Sequence, residues 1–465
     1  MDPQEVDVAV IGGGPAGYVA AIRAAQLGGK VIVVEKEKLG GVCLNIGCIP
    51  TKVLVRSCEV LSTIKRSKEF GIDVDGEIKA NLPRLMQRKK RIVARLVGGV
   101  GYLFKKNKVQ WIKGEGTLID SSSILIKNEE GEKRIKAKKI IVATGSSPAT
   151  LPIKGMDEDT VITSTQALDI EDIPENFLII GGGVIGIEFA TIYNSLGSKV
   201  TIVELLPRIL PGEDAELSGK LRQIMTKRGI DILTSSTLDM VKKQDANYIA
   251  IIKTPEGTRE IPFDKALVSV GRVPNSRKVG LENAGIKVDK KGWIQVNSKM
   301  QTNIPNIYAA GDVVGGYMLA HVAYIEGEVA AENAMGKSSE VNYRAVPRFV
   351  CSTPEMAAVG LTEEEAKKRE YRIKVGRFPF IANGKALIIG ESEGMVKIIC
   401  DAETEEILGI HILGPQATDL ILEGTIGINL EATLQEIINT IHPHPGLGEA
   451  IREAALDAQG RVIHI

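Results

Sequence analysis

The sequence predicts an α/β protein: two copies of one strand–turn–helix–strand unit, followed by a carboxy-terminal α+β region. Three observations carry this. "VAVIGGGPAGYVAAIRAAQLGGKVIVVE" (Val8 to Glu35) aligns without gaps to "FLIIGGGVIGIEFATIYNSLGSKVTIVE" (Phe177 to Glu204). Each copy carries a glycine-rich turn between an apolar strand and an amphipathic helix. After about Tyr343 the pattern changes to alternating strands such as "GMVKIICD" and "EILGIHILG", then helices.

The glycines share one register: Gly12, Gly14 and Gly17 match Gly181, Gly183 and Gly186. A G-x-G-x-x-G turn between strand and helix, with a second strand ending in an acid, is the dinucleotide-binding unit. Its glycines allow the tight turn and close approach to a pyrophosphate, whose charge meets the helix amino end. The terminal acids, Glu35 and Glu204, stand where a carboxylate accepts from an adenosine ribose. A carboxylate there repels a 2′-phosphate, so Glu204 favours NAD over NADP, while Arg208 nearby tempers that inference. Two such sites in one chain need two ligands, which points to a flavoprotein using FAD and NAD. The first unit is the expected FAD site, because the later segment "TNIPNIYAAGDV" ends an apolar strand at Gly311-Asp312.

Composition excludes several other classes. The 465 residues are enough for about three domains. Lys plus Arg equals Asp plus Glu at 58 each, which leaves no basic field for nucleic acid or anionic lipid. The runs Arg88 to Arg91 and Lys136 to Lys139 read as solvated faces. "MDPQEVDVAVIGGG" lacks a basic region followed by an apolar signal core, and no apolar run approaches the ~18 residues of a membrane span, so a cytoplasmic or organelle-matrix setting is expected. There an odd count of five cysteines argues against a structural disulfide framework. Cys43 and Cys48, in "GGVCLNIGCIPTK", leave structure, metal and redox as three candidate roles.

The fingerprints, "GGVCLNIGCIPTK", "ATGSSP", "VGRVPN", "IYAAGD", "PEMAAVGLTEEEA" and "HPHPGLGEA" together resemble the pyridine nucleotide-disulfide oxidoreductases over nearly the whole chain. The resemblance implies two Rossmann-like FAD/NAD-binding domains plus a carboxy-terminal α+β dimerisation domain. With crossings at "GSSPATLP" (Gly145 to Pro152) and "GRVPN" (Gly271 to Asn275), residues 1–147 and 274–342 form the expected FAD domain, 148–273 the NAD domain and 343–465 the interface domain. Gly145 and Gly271, in the "ATGSSP" and "VGRVPN" motifs, join the expected cofactor-binding set.

A metal role for the two cysteines fails for want of a second ligand pair; Cys58, Cys351 and Cys400 are isolated and expected to pack as small apolar side chains, so no metal site is expected. In an ideal helix, residues five apart have Cα atoms ~8.7 Å from each other, from a ~7.5 Å rise and a ~2.3 Å radius. A disulfide needs less than ~7 Å. The segment therefore cannot be regular helix throughout, and Gly47 is the expected break. A pair at the start of a helix with Lys52 nearby is a setting that lowers a thiol pKa, which makes the pair read as a redox disulfide.

The resemblance implies roles. Cys43 is the interchange thiol and Cys48 the charge-transfer thiol; Lys52 is the lysine beside the flavin, paired with Glu188; Asp312 is the ligand of the flavin ribityl and pyrophosphate region. His444 is the base, contributed from the partner subunit across a typically cis bond into Pro445, and Glu449 orients it, while His442 is structural. Gly446 and Gly448 depart from the Thr and Ser usual in this loop, at a cost in helix capping.

The expected activity is oxidation of protein-bound dihydrolipoyl groups with reduction of NAD through FAD. No lipoyl-domain pattern precedes the first strand, so the substrate group is expected on another protein, of a 2-oxo acid dehydrogenase or glycine cleavage complex. Competing readings are another disulfide or metal reductase of this fold, a flavin NADH oxidase or transhydrogenase, and a noncatalytic scaffold. Leu44, Ile49 and Thr51 fit the lipoyl type, and the Cys43, Cys48 and His444 set argues against the last two.

Overall fold

A computed structural model describes residues 4–151, 160–244 and 247–465, so Met1 to Pro3 and the Pro152 end of the first crossing lie outside the described residues. The chain divides into two compact units: Met1–Val53, Met86–Ala149 and Gly271–Asn342 form one, and Leu54–Leu85, Thr150–Val270 and Tyr343–Ile465 the other.

The first unit is built on a seven-stranded sheet. Its parallel part runs Gln110–Lys113, Val31–Glu35, Gln4–Ile11, Gly131–Val142 and Ile307–Ala309. An antiparallel meander through Ser123–Asn128 and Glu115–Leu118 extends it. Alternate residues of the first strand enter two separate cores: Val8 and Val10 pack with Ala20 and Ala24 of the helix Pro15–Gln26, whereas Ala9 and Ile11 join Ile140 and Ile307. Burial on both faces is why these strands read as continuous apolar runs.

In the second unit, five parallel strands lie in the order Asp231–Leu233, Lys199–Val203, Asn176–Ile180, Lys265–Val268 and Val161–Ile162. The repeat seen in the sequence is also a repeat of pairing. Val8 lies opposite Val31 and Ile11 opposite Val34, as Phe177 lies opposite Val200 and Ile180 opposite Val203. The same unit carries a three-stranded antiparallel ribbon, Thr237–Gln244, Asn247–Thr254 and Gly257–Phe263.

Past Tyr343 comes the expected α+β arrangement: a five-stranded antiparallel sheet in the order Arg348–Val350, Glu355–Gly360, Ile407–Gly414, Met395–Asp401 and Ile373–Pro379, packed by the helices Ala417–Asn429 and Glu449–Ala458. Two expectations need correction. Met395 to Cys400 is buried at every position rather than alternately, because the sheet is covered on both faces, and Lys397 is buried with it. Lys89, read as part of a solvated run, is buried, while Arg88, Lys90 and Arg91 remain exposed. Among the described residues no helix is long and apolar enough to cross a membrane.

Candidate active site

Each fingerprint turn is shaped by glycine in three different ways. Gly12 has φ +107°, and a Cβ there would run into the carbonyl of Ala143; Gly181 has φ +109° and would run into that of Ser269. A Cβ on Gly17 would strike the carbonyl of Gly12, and one on Gly186 that of Gly181, so these third glycines set the close approach of helix to turn. The middle pair differs. A Cβ on Gly14 would meet nothing nearer than the Cα of Gly41 at 3.8 Å, and one on Gly183 would meet nothing within 4 Å. Both stand at the amino ends of helices, Pro15–Gln26 and Val184–Leu196, with no side-chain cap. Open space in front of uncapped amides fits a pyrophosphate at both turns.

Glu35 and Glu204 are buried, and each braces its own turn. Glu35 accepts from the amide of Gly13 at 2.6 Å and of Glu37 at 2.8 Å. Glu204 accepts from the amide of Gly182 at 2.6 Å and of Leu206 at 2.7 Å. A carboxylate has about four acceptor sites, so ribose hydroxyls can still be served.

Gly145 and Gly271 flank a two-stranded ribbon, Ser146–Pro148 with Arg272–Pro274, and both have positive φ, +68° and +123°. Asp312 follows Gly311 and accepts from Ser146 Oγ at 2.5 Å. Arg272 donates to the same hydroxyl at 2.6 Å and lies 3.5 Å from Asp312. Glu326, a buried acid that the sequence reading passed over, accepts the Gly311 amide at 2.7 Å.

Gly47 breaks the cysteine segment as the spacing requires. Cys43 lies in the helix Gly41–Ile46, Gly47 sits at φ −143°, ψ −114°, and Cys48 is the first residue of the helix Cys48–Lys65. Thr51 returns both its hydroxyl, at 2.7 Å, and its amide, at 3.1 Å, to the Gly47 carbonyl. The two cysteines are thiols in contact, with Cys43 donating to Cys48. That bond, then burial, pushes the Cys43 thiol well up; Lys52 opposes with a smaller effect and Asp312 reinforces it. The expected lowering therefore does not hold for Cys43. Its partner, Cys48, stands at the positive end of an 18-residue helix, a position that favours a thiolate. Tyr18 and Tyr324, with ring centroids 5.9 Å apart, are a second pair missed in the sequence. Burial, followed by hydrogen bonding to Tyr324, raises the Tyr18 hydroxyl, and burial raises that of Tyr324.

In the second unit, His444 Nδ1 lies 2.9 Å from Glu449 Oε1 while the Gly446 amide donates to Oε2 at 2.9 Å. Burial pushes the Glu449 carboxyl up, but the Gly446 amide and His444 outweigh it and hold it below the usual range. Glu449 is thus a carboxylate that accepts from Nδ1–H of His444, whose ring is exposed. The bond into Pro445 is cis. His442 has both ring nitrogens facing acceptors, Thr440 O and Glu423 Oε1, each at 2.9 Å. The Glu423 bond raises its pKa, which agrees with a structural role. Glu188 accepts the Cys351 amide at 3.0 Å, and Cys58, Cys351 and Cys400 are buried.

The family model for pyridine nucleotide-disulphide oxidoreductases matches residues 6–327, and that for the dimerisation domain of the same proteins matches 346–455. The chain belongs to this family. Among curated relatives of this pyridine nucleotide-disulphide oxidoreductase, the dihydrolipoyl dehydrogenase of Bacillus subtilis is 46% identical over 99% of both chains. That of Thermus scotoductus is 45% identical over 99% of this chain and 98% of its own. Of solved structures, LpdA of Mycobacterium tuberculosis matches with a TM-score of 0.89 at 30% identity, covering 97% of this chain and 99% of the other. The HOCl-induced flavoprotein disulfide reductase RclA of Escherichia coli matches at 0.86 and 27%, with the same coverage. The oxidoreductase thus carries a dimerisation domain as well as its two nucleotide turns.

Proposed function

We propose that the chain oxidises dihydrolipoyl groups carried on another protein and reduces NAD, with Cys43 and Cys48 as the point where electrons enter. The observation that carries this is the sulfur pair: a buried Cys43 thiol donating to a cysteine at the head of a long helix. Full-length likeness to proteins named dihydrolipoyl dehydrogenase supports it.

In this reading Gly12, Gly14, Gly17, Glu35, Gly145 and Asp312 hold FAD, and Gly181, Gly183, Gly186, Glu204 and Gly271 hold NAD. We assign residues 1–147 and 274–342 to the FAD domain, 148–273 to the NAD domain and 343–465 to the dimer interface. When bound, FAD and NAD supply the hydride chemistry that carries the electron pair from the dithiol to the nicotinamide.

The chain's own residues handle sulfur and protons. His444 of the partner subunit accepts at Nε2 the proton of one substrate thiol, its Nδ1–H being anchored on Glu449. The substrate thiolate attacks the Cys43 sulfur of the oxidised pair; the Cys43–Cys48 bond breaks, and Cys48 leaves as thiolate, stabilised by the helix amino end and by the charge of Lys52 on the same helix. The second substrate thiol then attacks the sulfur bonded to Cys43. The lipoyl disulfide closes, and Cys43 leaves and takes the proton, which returns the thiol that donates to Cys48. The lipoyl group arrives from a 2-oxo acid dehydrogenase or glycine cleavage complex, in the cytoplasm.

The test is NADH formation by the purified protein with dihydrolipoamide and NAD, run beside glutathione disulfide with NADPH and dihydrolipoamide with NADP. Turnover confined to dihydrolipoamide and NAD is expected. Preference for glutathione disulfide, or NADH consumption by oxygen alone, would overturn the reading in favour of another member of the family.

A further inference from the structure

Arg208 follows the acid-tipped strand by four residues, where a cation would accommodate the 2′-phosphate of NADP. Its loop is folded onto the second fingerprint: the Leu210 amide donates to the Gly182 carbonyl at 2.9 Å, and Ile209 packs 3.1 Å from where a Cβ on Gly182 would stand. The guanidinium, however, is committed elsewhere. Nη1 and Nη2 of Arg208 donate to Oε1 and Oε2 of Glu364 at 2.8 and 2.7 Å, and Nη2 also reaches the Pro211 carbonyl at 3.2 Å. Glu364 is itself well placed, in the first turn of the helix Glu363–Lys368, whose start is fixed by the reciprocal Thr362–Glu365 capping box.

We propose that Glu364 is a nucleotide-selectivity residue acting through Arg208: it occupies the guanidinium fork that would otherwise receive a 2′-phosphate beside Glu204. Selectivity for NAD then has two parts. Glu204 repels the phosphate, and Glu364 removes the cation that would offset that repulsion. A bidentate carboxylate pair matches the same donors a phosphate would use, so the two compete for one fork. The Arg208 bond holds the Glu364 carboxyl below the usual range, so the pair stays charged at neutral pH. Glu364 acts through Arg208 and is a positioning residue. The inference rests on the reading that the second fingerprint binds NAD.

Calorimetric titration of the purified flavoprotein with NADP and with NAD tests it. Glu364→Ala is expected to bind NADP about fivefold tighter, the scale of a solvent-exposed ion pair released, with NAD affinity within about twofold of the parent. Glu364→Gln, which keeps the side-chain length if the alanine variant folds poorly, shifts NADP affinity in the same direction. The gain disappears in Glu364→Ala combined with Arg208→Gln. Unchanged NADP affinity in both single variants overturns the proposal. So does a gain that survives the double substitution, since removal of negative charge alone would then explain it. A parent protein that binds no NAD would instead overturn the assignment of the second fingerprint.

Discussion

Glu204 accepts the amide hydrogen of Gly182 at 2.6 Å, so the acid at the tip of the second strand holds the glycine turn in shape before any nucleotide arrives. The first unit repeats the relationship between Glu35 and Gly13 at 2.6 Å. Glu204→Ala therefore loses two things. Leaving the Gly182 and Leu206 amides without their acceptor costs about 1–3 kcal/mol in thermal or urea unfolding, and NAD affinity falls as well.

Gly183 isolates the second of those effects. A Cβ there meets no protein atom within 4 Å, so Gly183→Ala is expected to leave the unfolding midpoint within about 2 °C while raising the KM for NAD about tenfold or more. Gly181→Ala, at φ +109° and aimed into the Ser269 carbonyl, is expected to lower stability first. Unfolding curves and NAD kinetics on the two variants check the contrast.

The His444–Glu449 bond has a kinetic signature. His444→Gln is expected to lower kcat for dihydrolipoamide by about 10²- to 10⁴-fold, the range for loss of a general base. Glu449→Gln removes the anchoring charge but not the ring, and a loss of about 10- to 100-fold is expected. Reduction of artificial acceptors by NADH, which needs no thiol base, should be spared in both.

Much of this arrangement is visible in the sequence because it is local or repeated. The break at Gly47 follows from the Cys43–Cys48 spacing, and the paired registers follow from the two aligned fingerprints. What escaped is long-range. Lys397 sits in a strand that reads as alternating, yet its ammonium is buried against Asp214 at 2.9 Å, Glu216 at 3.1 Å and Glu363 at 2.7 Å, partners that periodicity cannot supply. Arg208 and Glu364 are 156 residues apart, and nothing local to either names the other. The acids at the strand tips suggest ribose ligands in the sequence, but their bracing of the turns is invisible there, since a bond to a backbone amide leaves no mark on residue choice.

His411 gives a pH dependence. Its Nε2 donates to the Leu361 carbonyl at 2.9 Å, the ring is fully buried, and burial lowers its pKa from 6.5 to about 4 despite nearby Asp214. A histidine depressed in the folded state takes up its proton more readily when unfolded. Its contribution is intact above pH 6.5 and is lost as pH falls toward 4. Between pH 7 and 5 this loss is about 2 kcal/mol, and His411→Gln should flatten that limb of the stability profile.

The most direct measurement is a thiol count by alkylation and mass spectrometry on the protein oxidised in air and again after anaerobic dihydrolipoamide. Three alkylated cysteines are expected before, Cys58, Cys351 and Cys400, with Cys43 and Cys48 recovered as one linked peptide, and all five after. Five alkylated cysteines in the oxidised protein, or a Cys43–Cys48 link that dihydrolipoamide leaves untouched, would contradict the redox role of the pair.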